Sequence, residues 1–254
     1  MSTTFTPRPG AAPLPRMIAA QALMETRLLV RNGEQLLLAI VIPVIVLIAG
    51  VRGTRALDIT FAHASVDVFT PGVLALAVMS TAFTSLAITT GFERRYGVIK
   101  RLGSSPLPRS GLLAGKACSV LLIELFQMAV IGSVGLFLGW DPDMDVVGAL
   151  LAVVLGTAAF ASLGLFVAGV LRAEATLAAA NLVYLLLMAG GAVVIPSSAY
   201  GAFGGVVQWL PSGALGDAMR AALIRGTTSW PDLVVLLGWA VLGTVLTART
   251  FKWE

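Results

Sequence analysis

The chain has 254 residues, of which 57% are hydrophobic and 12% charged, with a formal net charge of +4 and a mean hydropathy of +0.92. Soluble domains carry about 25% charged residues, so this composition excludes an ordinary soluble enzyme. The single cysteine, Cys118, excludes an intramolecular disulfide and a cysteine-cluster metal site. The lone histidine, His63, stands in a polar loop with Asp67 four residues on, which makes a poor metal site.

Residues 1–15 are rich in Thr, Pro and Ala and lack the apolar core of a signal peptide, so they read as a disordered tail. Residues 16–34 read as a helix lying at the membrane surface. Met17, Met24 and Leu28 form one stripe and Arg16, Arg27 and Arg31 the adjoining one. The same residues also fit the plain beginning of the first span. A spanning helix needs ~20 largely apolar residues. Six segments answer to that, at about 36–51, 69–92, 112–140, 146–171, 176–195 and 233–248. Between the fifth and sixth, Pro196–Thr228 is too broken by proline and glycine to span. It suits one or two short re-entrant helices packed on other helices. The reading is an all-α polytopic membrane protein, with residues 16–254 as one transmembrane domain.

The charges sort by loop. Thirteen Lys and Arg fall before span one, between spans two and three together with the start of span three, between four and five, and after six; four fall on the opposite side. All seven Asp lie on that opposite side. By the positive-inside rule both termini are cytoplasmic. The basic balance thus reflects topology, and a soluble basic face with aromatics for nucleic acid is missing.

The loop Glu93–Pro106 is the densest charged stretch. Glu93 and Arg94 are expected to begin a short amphipathic helix, Val98, Ile99 and Leu102 to give it an apolar edge, and Gly103–Pro106 to end it. Such a helix suits a groove on a soluble partner. An ordinary basic loop is the competing reading.

The pattern Glu93-Arg94-x-x-Gly97-x-x-x-x-Leu102-x-x-x-Pro106, running on through Leu107-Pro108-Arg109 to Gly115-Lys116, resembles the type-2 ABC exporter permeases (ABC-2 transporters). The resemblance covers residues 16–248. It implies six spans, an N-terminal interfacial helix, a coupling helix after span two and re-entrant helices between spans five and six. It further implies a dimer, with itself or a paralogue, on two copies of an ABC ATPase in a bacterial cytoplasmic membrane. Glu93, Arg94, Arg95, Gly97, Ile99, Leu102 and Pro106 would carry the coupling. ATP and Mg would sit on the partner, with no cofactor on this chain. The family often has an acidic residue or threonine where this chain has Arg95 and Val98.

The segment Gly111-Leu-Leu-Ala-Gly115-Lys116-Ala117 falls short of a phosphate-binding loop. It has three residues between the glycines where four are needed, and Ala follows the lysine. The chain is therefore read as a non-enzymatic subunit. Glu124, with Gln127 one turn on, lies mid-span, where an ionisable group is a functional candidate; an interhelical hydrogen bond is the alternative. Asn181 and Tyr184 share one face of span five and are further candidates for a substrate path.

The resemblance is closer to the drug and antibiotic resistance branch, and aromatic residues are only 7%. Export of hydrophobic drug-like or lipid-like molecules is the expected function. Export of a polysaccharide or lipid-linked glycan, and a proton-driven secondary transporter using Glu124, are the alternatives.

Overall fold

The computed structural model describes residues 12–31, 33–56, 58, 61, 63–102 and 106–250. Every regular element among them is helical. In chain order these are α1 (Leu14–Arg31), α2 (Gly33–Ala56), α3 (Ser65–Met79), a π-helical segment (Ser80–Ser85), α4 (Leu86–Arg95), α5 (Val98–Leu102), α6 (Arg109–Phe137), α7 (Val146–Val170), α8 (Ala173–Gly190), a 3₁₀ segment (Ser197–Phe203), α9 (Gly204–Val207), α10 (Pro211–Ile224) and α11 (Trp230–Thr250). Five helical stretches among the described residues are long and apolar enough to cross a membrane: Ser65–Arg95, Ser110–Phe137, Val146–Val170, Ala173–Gly190 and Trp230–Thr250. A shorter apolar stretch, Ala39–Thr54, lies in α2. The protein is a multi-pass membrane protein.

The continuous rod α3–π–α4 is the centre of the bundle. In α3 every residue from Val68 to Met79 is buried, with α2, α6, α7 and α10 packed around it. At Ser80 the helix widens into the π segment. A π turn exposes carbonyls that a tight α-helix would occupy, and here α7 comes close to them. A Cβ on Gly164 would sit 2.8 Å from the carbonyl of Phe83, so glycine is required there.

Several helix ends are written locally. Gly139 takes φ +93 after α6, and Trp140 N–H returns to Gly135 O at 2.9 Å, closing a Schellman motif. The third span therefore ends at Phe137, short of the expected 140. Asp145 caps α7. Gly148 N–H donates to its Oδ1 at 3.1 Å, the Thr228 hydroxyl donates to its other oxygen, and the Asp145 N–H donates to Ala222 O at 2.8 Å.

The fifth span was expected to run to Ile195, but α8 stops at Gly190. The cause is Arg220, which is buried in α10. Its guanidinium donates to Val193 O at 2.7 Å and Asp217 Oδ1 at 3.0 Å, and holds the carbonyls of residues 192–193 out of helical register. Between α8 and α11, where one or two short re-entrant helices were expected, lie three short elements: the 3₁₀ segment, α9 and α10. Of these, α10 is buried against α3, α7 and α11.

Candidate functional site

The charged triplet Glu93-Arg94-Arg95 forms the last turn of α4. It was expected to begin a separate amphipathic helix. Instead the break falls after it, at Gly97, whose φ of +66 only glycine adopts without strain. The short helix is α5, Val98–Leu102. Ile99 is buried and Lys100 and Arg101 are exposed. Pro106 is exposed in the turn leading to α6, and residues 103–105 lie outside the described residues.

Each member of the triplet reaches a different neighbour. Glu93 Oε2 lies 2.7 Å from Lys116 Nζ of α6. The same ammonium is 3.1 Å from Glu25 Oε1 of α1. Lys116 is only 2% exposed. A buried cation is tolerated only when it is paired and hydrogen-bonded. Gln21 adds a second donor, its amide giving a 2.7 Å bond to Glu25 Oε1. This junction is possible because α1 packs closely on α6. A Cβ on Gly115 would meet Gln21 Cγ at 2.7 Å, so the small-residue pair Gly111/Gly115 serves that contact. The face that α1 turns to the bundle is polar, while Leu23, Met24 and Leu28 are exposed. That is the orientation of a helix whose apolar side is left to lipid.

Arg94 points the other way. Its guanidinium donates to Ala168 O at 2.7 Å, to Gly169 O and to Leu171 O at 2.7 Å. These carbonyls end α7, where a cation both satisfies orphan acceptors and complements the helix dipole. Arg95 pairs with Glu174 in the first turn of α8 and stacks over Tyr96, 5.7 Å from its ring centroid. A cleft of about 500 Å³ lined by Gly91, Arg94, Arg95, Arg172, Ala173 and Glu174 opens beside the pair. Three consecutive residues therefore connect α4 to α6, α7 and α8, and through Lys116 to α1.

The four membrane candidates separate into two kinds. Asn181 and Tyr184 line a cavity of about 220 Å³ with Ala39, Ile42, Pro43, Ser80, Thr81, Thr84, Ser85 and Ile88. Glu124 and Gln127 are fully buried and are not among the residues lining that cavity. Glu124 Oε2 accepts from the Thr157 hydroxyl of α7 at 2.6 Å, which is the interhelical bond held open as its alternative. Gln127 Oε1 accepts from Thr81 at 2.9 Å, and its amide donates to Ala39 O at 2.9 Å.

Sequence reasoning passed over Glu25 and gave Lys116 no site role beyond the family pattern. The available signal was an acid and a lysine where an interfacial helix and a span would otherwise carry none.

The model of the "ABC-2 family transporter protein" family matches residues 60–249. The chain belongs to the ABC-2 transporter family. A relative, the Bacillus subtilis (strain 168) protein YvfS, whose name describes a transport permease, is 23% identical over 174 residues, covering 67% of this chain and 71% of the relative. ABC-2 membership implies a membrane subunit that dimerises and works with an ABC ATPase.

Proposed function

We propose that this ABC-2 protein is the membrane permease of an ATP-driven exporter. In this reading the basic end of the bundle faces the cytoplasm and α2 is the first of six spans. The short elements between α8 and α11 enter the membrane from the outer face. The dimer is formed with a second copy or a paralogue. The observation that carries the reading is the wiring of Glu93-Arg94-Arg95 to four other helices. An ATPase pressing on α5 moves the end of α4, and α4 cannot move without α1, α6, α7 and α8. Arg95, a departure from the family pattern, fits this role through its pair with Glu174.

The substrate is a hydrophobic drug-like or lipid-like molecule. The cavity at Asn181 and Tyr184 supports this: among the described residues its lining offers hydroxyl, amide and phenol groups with apolar ones and no charged side chain. Such a lining suits an uncharged amphiphile.

The test is charge reversal across Glu93–Arg95 in the permease expressed with its ATPase. Loss of stimulated ATP turnover with the complex still assembled is the expected result. Unchanged association and unchanged turnover would sink the coupling role. Deletion of the gene should sensitise cells to lipophilic antibiotics; an altered cell envelope with no such change points to a glycan substrate.

A further inference from the structure

Two helices are broken near one level of the bundle, and one side chain joins the breaks. Pro43 lies inside α2. It has no N–H, so the carbonyl of Ala39 one turn earlier loses its helical donor. Gln127 of α6 fills that place, its amide donating to Ala39 O at 2.9 Å. The other break is the π segment, where the Thr81 hydroxyl donates to Gln127 Oε1 at 2.9 Å. A backbone carbonyl only accepts, so the Gln127 amide nitrogen must face Ala39 and its oxygen must face Thr81. Both ends of the side chain are committed.

Two cavities meet at the same π segment. One, of about 200 Å³, is lined by Glu25, Glu93, Lys116 and Ser119 as well as Thr81 and Ser85. The other, of about 220 Å³, is lined by Pro43, Thr84, Asn181 and Tyr184 as well as Thr81 and Ser85. Thr81 and Ser85 are thus common to both walls. Thr84 Oγ1, on the second cavity, is buried and has no hydrogen-bond partner among the described residues. The chain leaving the π segment runs through α4 to the charged triplet.

We propose that the π segment Ser80–Ser85 is a gate between these two cavities, and that Gln127 is the positioning residue that latches it to α2. A π turn has a discrete alternative in the plain α turn, so displacement of α4 switches it between two states. Gln127 selects the closed state by holding Thr81 against the Pro43 break. The proposal builds on the coupling role given to α4, but its test reads the gate itself and needs neither transport nor an ATPase.

The test uses the full chain in lipid nanodiscs, with Cys118→Ser as background. Thr84→Cys reports the second cavity and Thr89→Cys the first, which Thr89 lines. A cationic methanethiosulfonate reagent is used because its charge bars it from lipid. In the Gln127→Leu variant, the loss of two intramembrane hydrogen bonds should raise the Thr84→Cys modification rate roughly tenfold. The Thr89→Cys rate should stay the same. Thr81→Val, which keeps the bond to Ala39, is the milder variant and should raise the Thr84→Cys rate severalfold. Adding Pro43→Ala to Gln127→Leu returns a helical donor to Ala39 O, and the fast rate should persist. An unchanged Thr84→Cys rate in both single variants overturns the gate. So does an equal rise at Thr84→Cys and Thr89→Cys, or a return to the slow rate in the double variant, which would mean that Gln127 only satisfies an orphan carbonyl.

Discussion

Lys116 Nζ stands 2.7 Å from Glu93 Oε2, at the point where the last turn of α4 meets the start of α6. The lysine is almost wholly buried and also holds Glu25, so removing it leaves two carboxylates facing each other. Breaking a buried ion pair by deleting one partner costs about 3–5 kcal/mol. Lys116→Met should therefore lower the thermal unfolding midpoint of the purified protein well beyond Glu25→Gln. The double variant Glu25→Gln/Lys116→Met should recover part of the loss. A Lys116→Met protein as stable as the parent would refute the buried triad.

Arg94 should not tolerate lysine. Its planar fork reaches three carbonyls at the end of α7, which a single ammonium cannot span. Hydrogen bonds from a charged group contribute about 1.5–3 kcal/mol each in favourable cases. Arg94→Lys and Arg94→Ala should both speed amide exchange over the last turn of α7, Arg94→Ala more. Protection unchanged in both would separate Arg94 from the α7 terminus.

The Arg95–Glu174 pair makes the opposite prediction for stability. Both side chains are more than half or about half exposed, at 50% and 64%, and exposed pairs contribute about 0–1 kcal/mol. Arg95→Glu should leave the unfolding midpoint nearly unchanged while reducing stimulated ATP turnover in the complex. The exchange Arg95→Glu/Glu174→Arg should restore turnover. Turnover that stays low in the exchanged pair would mean that Arg95 acts elsewhere.

Asp145 gives a pH signature at the opposite end of the bundle. The Thr228 hydroxyl and then the Gly148 amide hold its carboxyl below the ordinary value of 3.8. A carboxyl depressed in the folded state adds stability that is fully present above its unfolded value and is lost as pH falls through the folded one. Stability from this cap should be flat from neutral pH down to the ordinary carboxylate range and fall below it. Thr228→Val should shrink that acid-side fall, read as unfolding midpoint against pH. An identical pH profile in Thr228→Val would rule the linkage out.

Glu124 separates bonding from proton transfer. Gln keeps an acceptor for Thr157, so Glu124→Gln should preserve stability and ATP-driven transport. Thr157→Val should lose about 0.6 kcal/mol, the average for an intramembrane hydrogen bond, and Glu124→Ala more, because it also leaves a cavity. Transport lost in Glu124→Gln at full stability would favour a proton-carrying role.

Much of this architecture is legible in one dimension. Length and apolarity mark six segments, five of which match helices long and apolar enough to cross a membrane, because lipid offers the backbone no hydrogen bonds and each span must satisfy its own. Charge counting separates the ends because short loops on one side of a membrane carry an excess of Lys and Arg. The loop Glu93–Pro106 carries the resemblance to the family. Other features depend on what lies across the bundle. Glu93 and Arg94 look like the start of a helix in sequence and are the end of one, since Gly97 breaks the chain after a turn that Lys116 and the α7 carbonyls hold in place. The end of α8 at Gly190 needs Arg220, thirty residues away, to take up its next carbonyls. Gln127 reads as a candidate beside Glu124 in a span until Pro43 and the π turn are set beside it. By itself the sequence determined that the chain crosses a membrane several times, where its charges gather and which family it belongs to, because those rest on local hydropathy and spacing. Only the tertiary structure decided which charges meet which helices, because a buried ion or an orphan carbonyl is satisfied by residues far away in the chain.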